Sequence, residues 1–266
     1  MDQNLREAVI AVAQAAATRI LEVYQGRFVV DHKADQSPLT AADLAAHHCI
    51  VDGLTRLTPD IPVLSEESKQ LPAAERLRWT RLWLVDPLDG TREFVKRNGE
   101  FSVNIALIEH GVATWGVVQA PTTGAVWHGG DGLGAFKRGD DGIDQPLHVR
   151  RPATAPLRVA ASRSHRDQRT AMFIERMGPV EPVGLGSSLK FCRLAEGAID
   201  VYPRFGPTSE WDTAAGQAVL EGAGGGVVDP QGRPFRYNQR DTLLNGAFIA
   251  LGDTALPWRE WDGSDG

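Results

Sequence analysis

Leu82-Trp83-Leu84-Val85-Asp86-Pro87-Leu88-Asp89-Gly90-Thr91 is an apolar run that ends abruptly in acid. The first four residues are bulky and uninterrupted, as expected of a strand buried on both faces. Asp86 stands at the C-terminal end of that strand. Pro87 stiffens the chain so that Asp86 and Asp89 converge in a turn instead of continuing the strand. Gly90 allows close backbone approach, and Thr91 adds a hydroxyl. Several oxygens thus aim at one point, which suits a hard divalent cation such as magnesium. A plain capped turn would use the same residue types, so further acidic residues must decide.

Outward from this stretch, Ser65-Glu66-Glu67-Ser68 follows a short apolar segment at 61–64, read as a strand. Asp212 lies beside Trp211 at the start of an expected helix over 211–221. Crowded carboxylates remain ionised together only when cations neutralise them. Other expected helices cover residues 5–23, 41–57, 167–177 and 188–196. Other expected strands cover 101–108, 112–119, 124–128, 134–137, 157–161, 180–183, 199–202, 226–229 and 247–251. The pattern is an α+β (mixed α/β) architecture. Gly, Pro and charge concentrate over 140–156. That places a boundary between an N-terminal half, 1–150, with the acidic motifs, and a C-terminal half, 151–266, that completes the site. Residues 258–266 are expected to fray.

The chain has 266 residues, 42% of them hydrophobic, and a net charge of −6. It therefore does not read as a general nucleic-acid binder. The two cysteines, Cys49 and Cys192, form no disulfide framework and suit a reducing compartment. The N-terminus lacks the pattern of a signal peptide, and no apolar run suffices to span a bilayer, so the expected location is the cytoplasm. His47-His48 has no third ligand in spacing and reads as structural. Glycines 222 and 224–226 end the helix that precedes them.

Glu66-Glu67-Ser68, Asp86-Pro87-Leu88-Asp89-Gly90-Thr91 and Trp211-Asp212-Thr213-Ala214-Ala215-Gly216 together resemble the inositol monophosphatase-like, lithium-sensitive phosphatases. Within them the chain is most similar to the 3'(2'),5'-bisphosphate nucleotidases of the bacterial sulfur-assimilation type. Ser37-Pro38-Leu39-Thr40-Ala41-Ala42-Asp43, Ser162-Arg163-Ser164-His165, Gly186-Ser187-Ser188-Leu189-Lys190 and Tyr202-Pro203-Arg204 point there, as does the segment Phe94-Val95-Lys96-Arg97-Asn98-Gly99-Glu100-Phe101. The resemblance implies a layered α-β-α-β-α sandwich. It implies that Glu66, Asp86 and the Leu88 carbonyl hold one magnesium ion, and that Asp86, Asp89 and Asp212 hold a second. A third, more hydrated ion would lean on Glu66, with Glu67 near the metals but not a ligand. Asp43 and Thr91 match the pair that orients and deprotonates the attacking water.

Inositol-type sites carry an acidic residue shortly before the Trp-Asp motif; here Tyr202-Pro203-Arg204-Phe205-Gly206 is aromatic and basic. Arg204 and Lys190 suit a second phosphate, while Ser162, His165, Gly186 and Ser187 match positions near a nucleoside. The resemblance implies that Glu66, Leu88, Asp89, Gly90, Thr91 and Asp212 surround the scissile phosphate. Taken singly, Lys190 reads equally as a solvated helix residue, Arg204 as a surface charge and His165 as a helix cap. The implied substrate is a small nucleotide, adenosine 3',5'-bisphosphate, with 3'-phosphoadenylyl sulfate as a second one, and lithium as inhibitor. Rival readings are an inositol monophosphatase or sugar bisphosphatase of the same fold, and a non-catalytic nucleotide or metal sensor. The resemblance leaves open a homodimer and a loose seat on the cytoplasmic face of the inner membrane.

Overall fold

The computed structural model describes residues 1–32, 38–69, 71–161 and 167–263. In chain order it contains α1 (Gln3–Tyr24), β1 (Val30–His32), β2 (Pro38–Thr40), α2 (Ala41–Leu57), β3 (Val63–Ser65), α3 (Ala73–Arg76), β4 (Arg81–Asp89) and α4 (Thr91–Val95). Next come β5 (Ser102–Glu109), β6 (Val112–Gln119), β7 (Val126–Gly130), β8 (Gly134–Arg138), β9 (Asp144–Pro146) and β10 (Leu157–Ala161). The rest is α5 (Gln168–Arg176), β11 (Val180–Gly184), α6 (Leu189–Ala195), β12 (Val201–Arg204), α7 (Glu210–Gly222), β13 (Gly226–Val228), β14 (Phe248–Leu251) and α8 (Trp258–Asp262).

α1 starts where the Asp2 side chain accepts from the Leu5 amide, and it buries Val9, Ile10, Ala13, Ala16, Ala17 and Ile20 along one stripe. α2 starts at a capping box between Thr40 and Asp43 and buries Ala42, Ala46, Ile50 and Leu54. Both stripes lie on a seven-stranded sheet of order β3-β4-β5-β6-β7-β8-β9, in which only the β3–β4 pair is parallel. Alternation along β4 to β6 decides which side chains meet them. Trp83, Val85, Ile105, Leu107, Trp115 and Val117 face α1 and α2. Leu82, Leu84, Ala106, Ile108 and Val118 face the other way, toward α6 and α7. Both faces are covered, which is why β4 reads as an unbroken apolar run.

α6 and α7 form the middle layer. Beyond them lies a five-stranded sheet of order β11-β10-β12-β14-β13, and α5 and α8 cover its outer face through Phe173, Trp258 and Trp261. The layers thus run α-β-α-β-α. α7 sits so close to the first sheet that a Cβ on Gly116 would lie 2.6 Å from the Ala215 carbonyl oxygen. Only a glycine permits that approach.

Two expectations are corrected. β4 does not stop at Asp86: its pairing with β5 runs Asp86↔Asn104, shifts register, and resumes at Asp89↔Ser102. Pro87, which cannot donate to a ladder, falls inside this irregularity. Nor does the chain fray from residue 258. α8 buries Trp258 and Trp261, and the Trp261 ring meets Phe173 edge-on at 5.9 Å.

Candidate metal centre

Three elements deliver the acidic residues. β3 runs parallel to β4, and the Glu66 amide donates to the Val85 carbonyl at 3.0 Å, so Glu66 leaves its strand beside the end of the β4 apolar run. In the register shift the Leu88 amide turns back to Asp86 Oδ1 at 3.0 Å. This is the local bond by which an aspartate stabilises a turn against continued strand. Asp212 is the third residue of α7, where its Oδ2 accepts from the Ser209 amide at 2.7 Å. Ligand oxygens of Asp86, Asp89 and Asp212 all lie within 4.8 Å of one another.

Asp86 is 1% exposed. Burial pushes its carboxyl pKa well up, and the charges of Glu66, Asp89 and Asp212 push the same way. Asp212 is raised by burial first and then by Asp89 and Glu66, against the opposing effect of the Ser209 amide. Anions packed this closely out of water require either protons or cations. An all-oxygen donor set of this kind fits magnesium.

Thr91 opens α4, and its Oγ1 lies 3.2 Å from Asp43 Oδ1 and 3.2 Å from the Leu88 carbonyl. Asp43 is buried, and its Oδ2 accepts from both the amide and the hydroxyl of Thr40 at 2.7 Å. That capping box fixes the carboxylate, leaving Oδ1 toward Thr91. Gly90, with φ of 91°, turns the chain into α4. A Cβ there would come within 3.3 Å of the Ser187 Cβ, so the 186–187 turn lies against Gly90. Gly186 donates its amide to Glu100 Oε2 at 2.8 Å, and Ser187 takes the left-handed conformation, φ 47°.

Lys190 is buried, not solvated. Its ammonium donates to the Ser187 carbonyl at 2.6 Å and the Leu185 carbonyl at 3.3 Å, over the face of the Tyr202 ring. Burial lowers its pKa to about 8, Arg204 pushes in the same direction, and Asp89 and Asp212 pull it back up. The Arg204 charge is thus near enough to act on Lys190. Arg204, on β12, donates to the Pro207 carbonyl at 3.1 Å. Ser162 and His165 lie outside the described residues. His47 is not part of the aspartate cluster; its Nδ1 lies 2.9 Å from Ser65 Oγ. Among the described residues the three aspartates are the one cluster of metal-ligating side chains.

Sequence reasoning missed Asn104 and Ser188. Both are buried, and both bond Asp89 Oδ2. A signal existed: Ser102 and Asn104 are polar residues two apart in an otherwise apolar strand, so they share a face.

A model of the inositol monophosphatase family matches residues 1–255. The chain belongs to the inositol monophosphatase family. A curated relative in Escherichia coli K12, the 3'(2'),5'-bisphosphate nucleotidase CysQ, is 50% identical over 245 residues, covering 91% of this chain and 97% of its own. The Haemophilus influenzae protein of the same name is 35% identical over 260 residues, 97% of each chain. The crystal structure of CysQ from Bacteroides thetaiotaomicron, a bacterial member of the family, superposes with a TM-score of 0.82 at 41% identity, covering 94% of this chain and 98% of that one. Members of the family are metal-dependent phosphatases, and the acidic cluster stands where this chain can hold such ions. No helix among the described residues is long and apolar enough to cross a membrane.

Proposed function

We propose that this chain is a magnesium-dependent 3'(2'),5'-bisphosphate nucleotidase that removes the 3'-phosphate of adenosine 3',5'-bisphosphate to give AMP and phosphate, with 3'-phosphoadenylyl sulfate as a second substrate. Its likeness to CysQ over nearly its whole length supports the substrate class. The observation that carries the chemistry is the convergence of Asp86, Asp89 and Asp212 within 4.8 Å, without which there is no reason to invoke a cation.

Glu66, Asp86 and the Leu88 carbonyl would hold one ion, and Asp86, Asp89 and Asp212 another, with Asp86 shared. Magnesium supplies positive charge against the phosphoryl oxygens and lowers the pKa of water. Thr91 orients the attacking water through its hydroxyl, and Asp43 accepts the Thr91 proton. The Gly90 and Thr91 amides face the phosphate from the start of α4. Gly186 and Ser187 line the nucleoside side; the resemblance assigns Ser162 and His165, outside the described residues, to the same role. Arg204 and Lys190 place positive charge against the second phosphate. Because the Lys190 ammonium already serves two carbonyls, it acts as a charge beneath the 186–187 turn, and Arg204 supplies the planar donors.

Phosphate release from adenosine 3',5'-bisphosphate, measured beside inositol 1-phosphate with and without magnesium, tests this reading. The expected result is magnesium-dependent release, fast on the nucleotide, slow on the inositol ester, and suppressed by millimolar lithium. Equal or faster turnover of inositol 1-phosphate would transfer the site to the inositol phosphatases. Tight nucleotide binding with no release at any magnesium concentration would make the chain a sensor.

A further inference from the structure

Among the described residues, the Asp89 carboxylate is held from one side only. Three donors converge on its Oδ2: the Ser188 amide at 2.6 Å, the Ser188 hydroxyl at 2.5 Å and the Asn104 side-chain amide at 3.3 Å. Oδ1 is the oxygen these donors leave alone. Asn104 also donates to Ser188 Oγ at 2.9 Å, and its own oxygen accepts from Ser102 Oγ at 3.1 Å, which fixes the orientation of the amide. Ser188 Oγ lies 2.6 Å from the backbone carbonyl of Asp212 as well. One buried hydroxyl therefore touches both the β4 end that carries Asp89 and the α7 start that carries Asp212. Ser102, Asn104 and Ser188 are each no more than 2% exposed.

We propose that Asn104 and Ser188 are positioning residues for the metal centre. They clamp Asp89 by one oxygen so that the other presents to a cation, and Ser188 ties that carboxylate to the α7 turn bearing Asp212. The inference rests on the magnesium reading above. Partners of this kind orient metal ligands, and losing one costs about 10–100-fold in metal affinity. An apolar side chain at either position removes one of the three donors and keeps the Ser188 amide, so it loosens the grip on Asp89 while its like-charged neighbours still repel it.

The test uses Ser188→Ala and Asn104→Ala, each followed by thermal unfolding across a magnesium titration and again in chelator. Each variant is expected to need about 10-fold more magnesium for half-maximal stabilisation, with KM for the nucleotide near the wild-type value at saturating metal. The double variant should fall short of the product of the two, because both act on one oxygen. A purely structural role would lower the melting temperature in chelator and leave the magnesium midpoint untouched; that outcome overturns the proposal. Should Ser188→Ala fail to fold, Asn104→Ala on β5 decides alone. A wild-type protein that magnesium neither stabilises nor activates would instead sink the metal reading itself, so the two failures are distinct.

Discussion

Asp86 and Asp200 are equally sealed from water, at 1% and 0% exposure, yet their surroundings are opposite. Asp200 accepts from Arg150 at 2.6 and 2.8 Å, from Arg158 at 3.2 and 3.3 Å, and from the Arg158 backbone amide at 2.7 Å. The protein supplies its own counter-charge there, and the pair fastens the 150–158 segment to the turn before β12. Asp86 accepts from the Leu88 amide, and the charges that act on it most are Glu66, Asp89 and Asp212, all of its own sign. Burial alone therefore does not separate structure from function. What separates them is whether the fold completes the charge or leaves it for a ligand to complete.

That contrast can be broken by mutation. Asp89→Asn is expected to lower kcat by about 10³-fold or more, ~4 kcal/mol of barrier, with circular dichroism unchanged. Normal turnover at saturating magnesium would remove Asp89 from the metal centre. Asp200→Asn should do the reverse. It leaves two arginines facing a neutral amide, and because those guanidiniums are partly solvated the loss is about 2–4 kcal/mol of stability, read by denaturant unfolding, with kcat kept in the folded fraction. Thr91→Ala is expected to cost roughly 10²-fold in kcat with little change in KM, since a positioned proton acceptor acts only on the reacting water. A large KM effect with kcat intact would assign Thr91 to binding instead.

The smallest effect is in pH. Burial and like charges raise the Asp212 pKa from 3.8 to about 8, so its contribution to stability in chelator is present below 3.8 and is lost as pH rises toward 8. On the proposed magnesium reading the ion would bind the ionised form, so the metal-induced rise in Tm should grow over the same interval. Asp144 has the opposite sign. Its hydrogen bonds to Arg138 hold its pKa at about 2, so the stability it provides is present above 3.8 and lost as pH falls through 2. A magnesium effect on Tm that is flat between about pH 5 and pH 8 would show that the cluster does not titrate on binding.

Local pattern carried much of the fold. α2, β6 and β10 have the expected bounds, because amphipathic or doubly buried stretches declare themselves through spacing. Tertiary rescue did not declare itself. α3 is a single turn whose Arg76 is buried and bonded to Asn238 Oδ1 and to the carbonyls of Arg240 and Asp241, partners more than 160 positions away. α8 depends on Phe173 and the outer face of the five-stranded sheet. Proline argued for the end of β4, and only the register shift against β5 shows how the strand absorbs it. In the site, the acidic residues were legible because each sits in a distinctive local motif. Asn104 and Ser188 carry no such mark, and their meeting at Asp89 is visible only in three dimensions.

The near-contact between Gly116 and Ala215 has a further consequence. Ala215 stands one helical turn beyond Asp212, so the depth to which α7 sinks onto the sheet also sets how far its aspartate reaches toward the other two. Coordination distances tolerate only about 0.2 Å of error. On the proposed metal reading, cation affinity would be a gauge of interlayer seating: a helix lifted by the width of one methyl group would keep its secondary structure and bind cations more weakly, which a magnesium titration of Gly116→Ala would read directly.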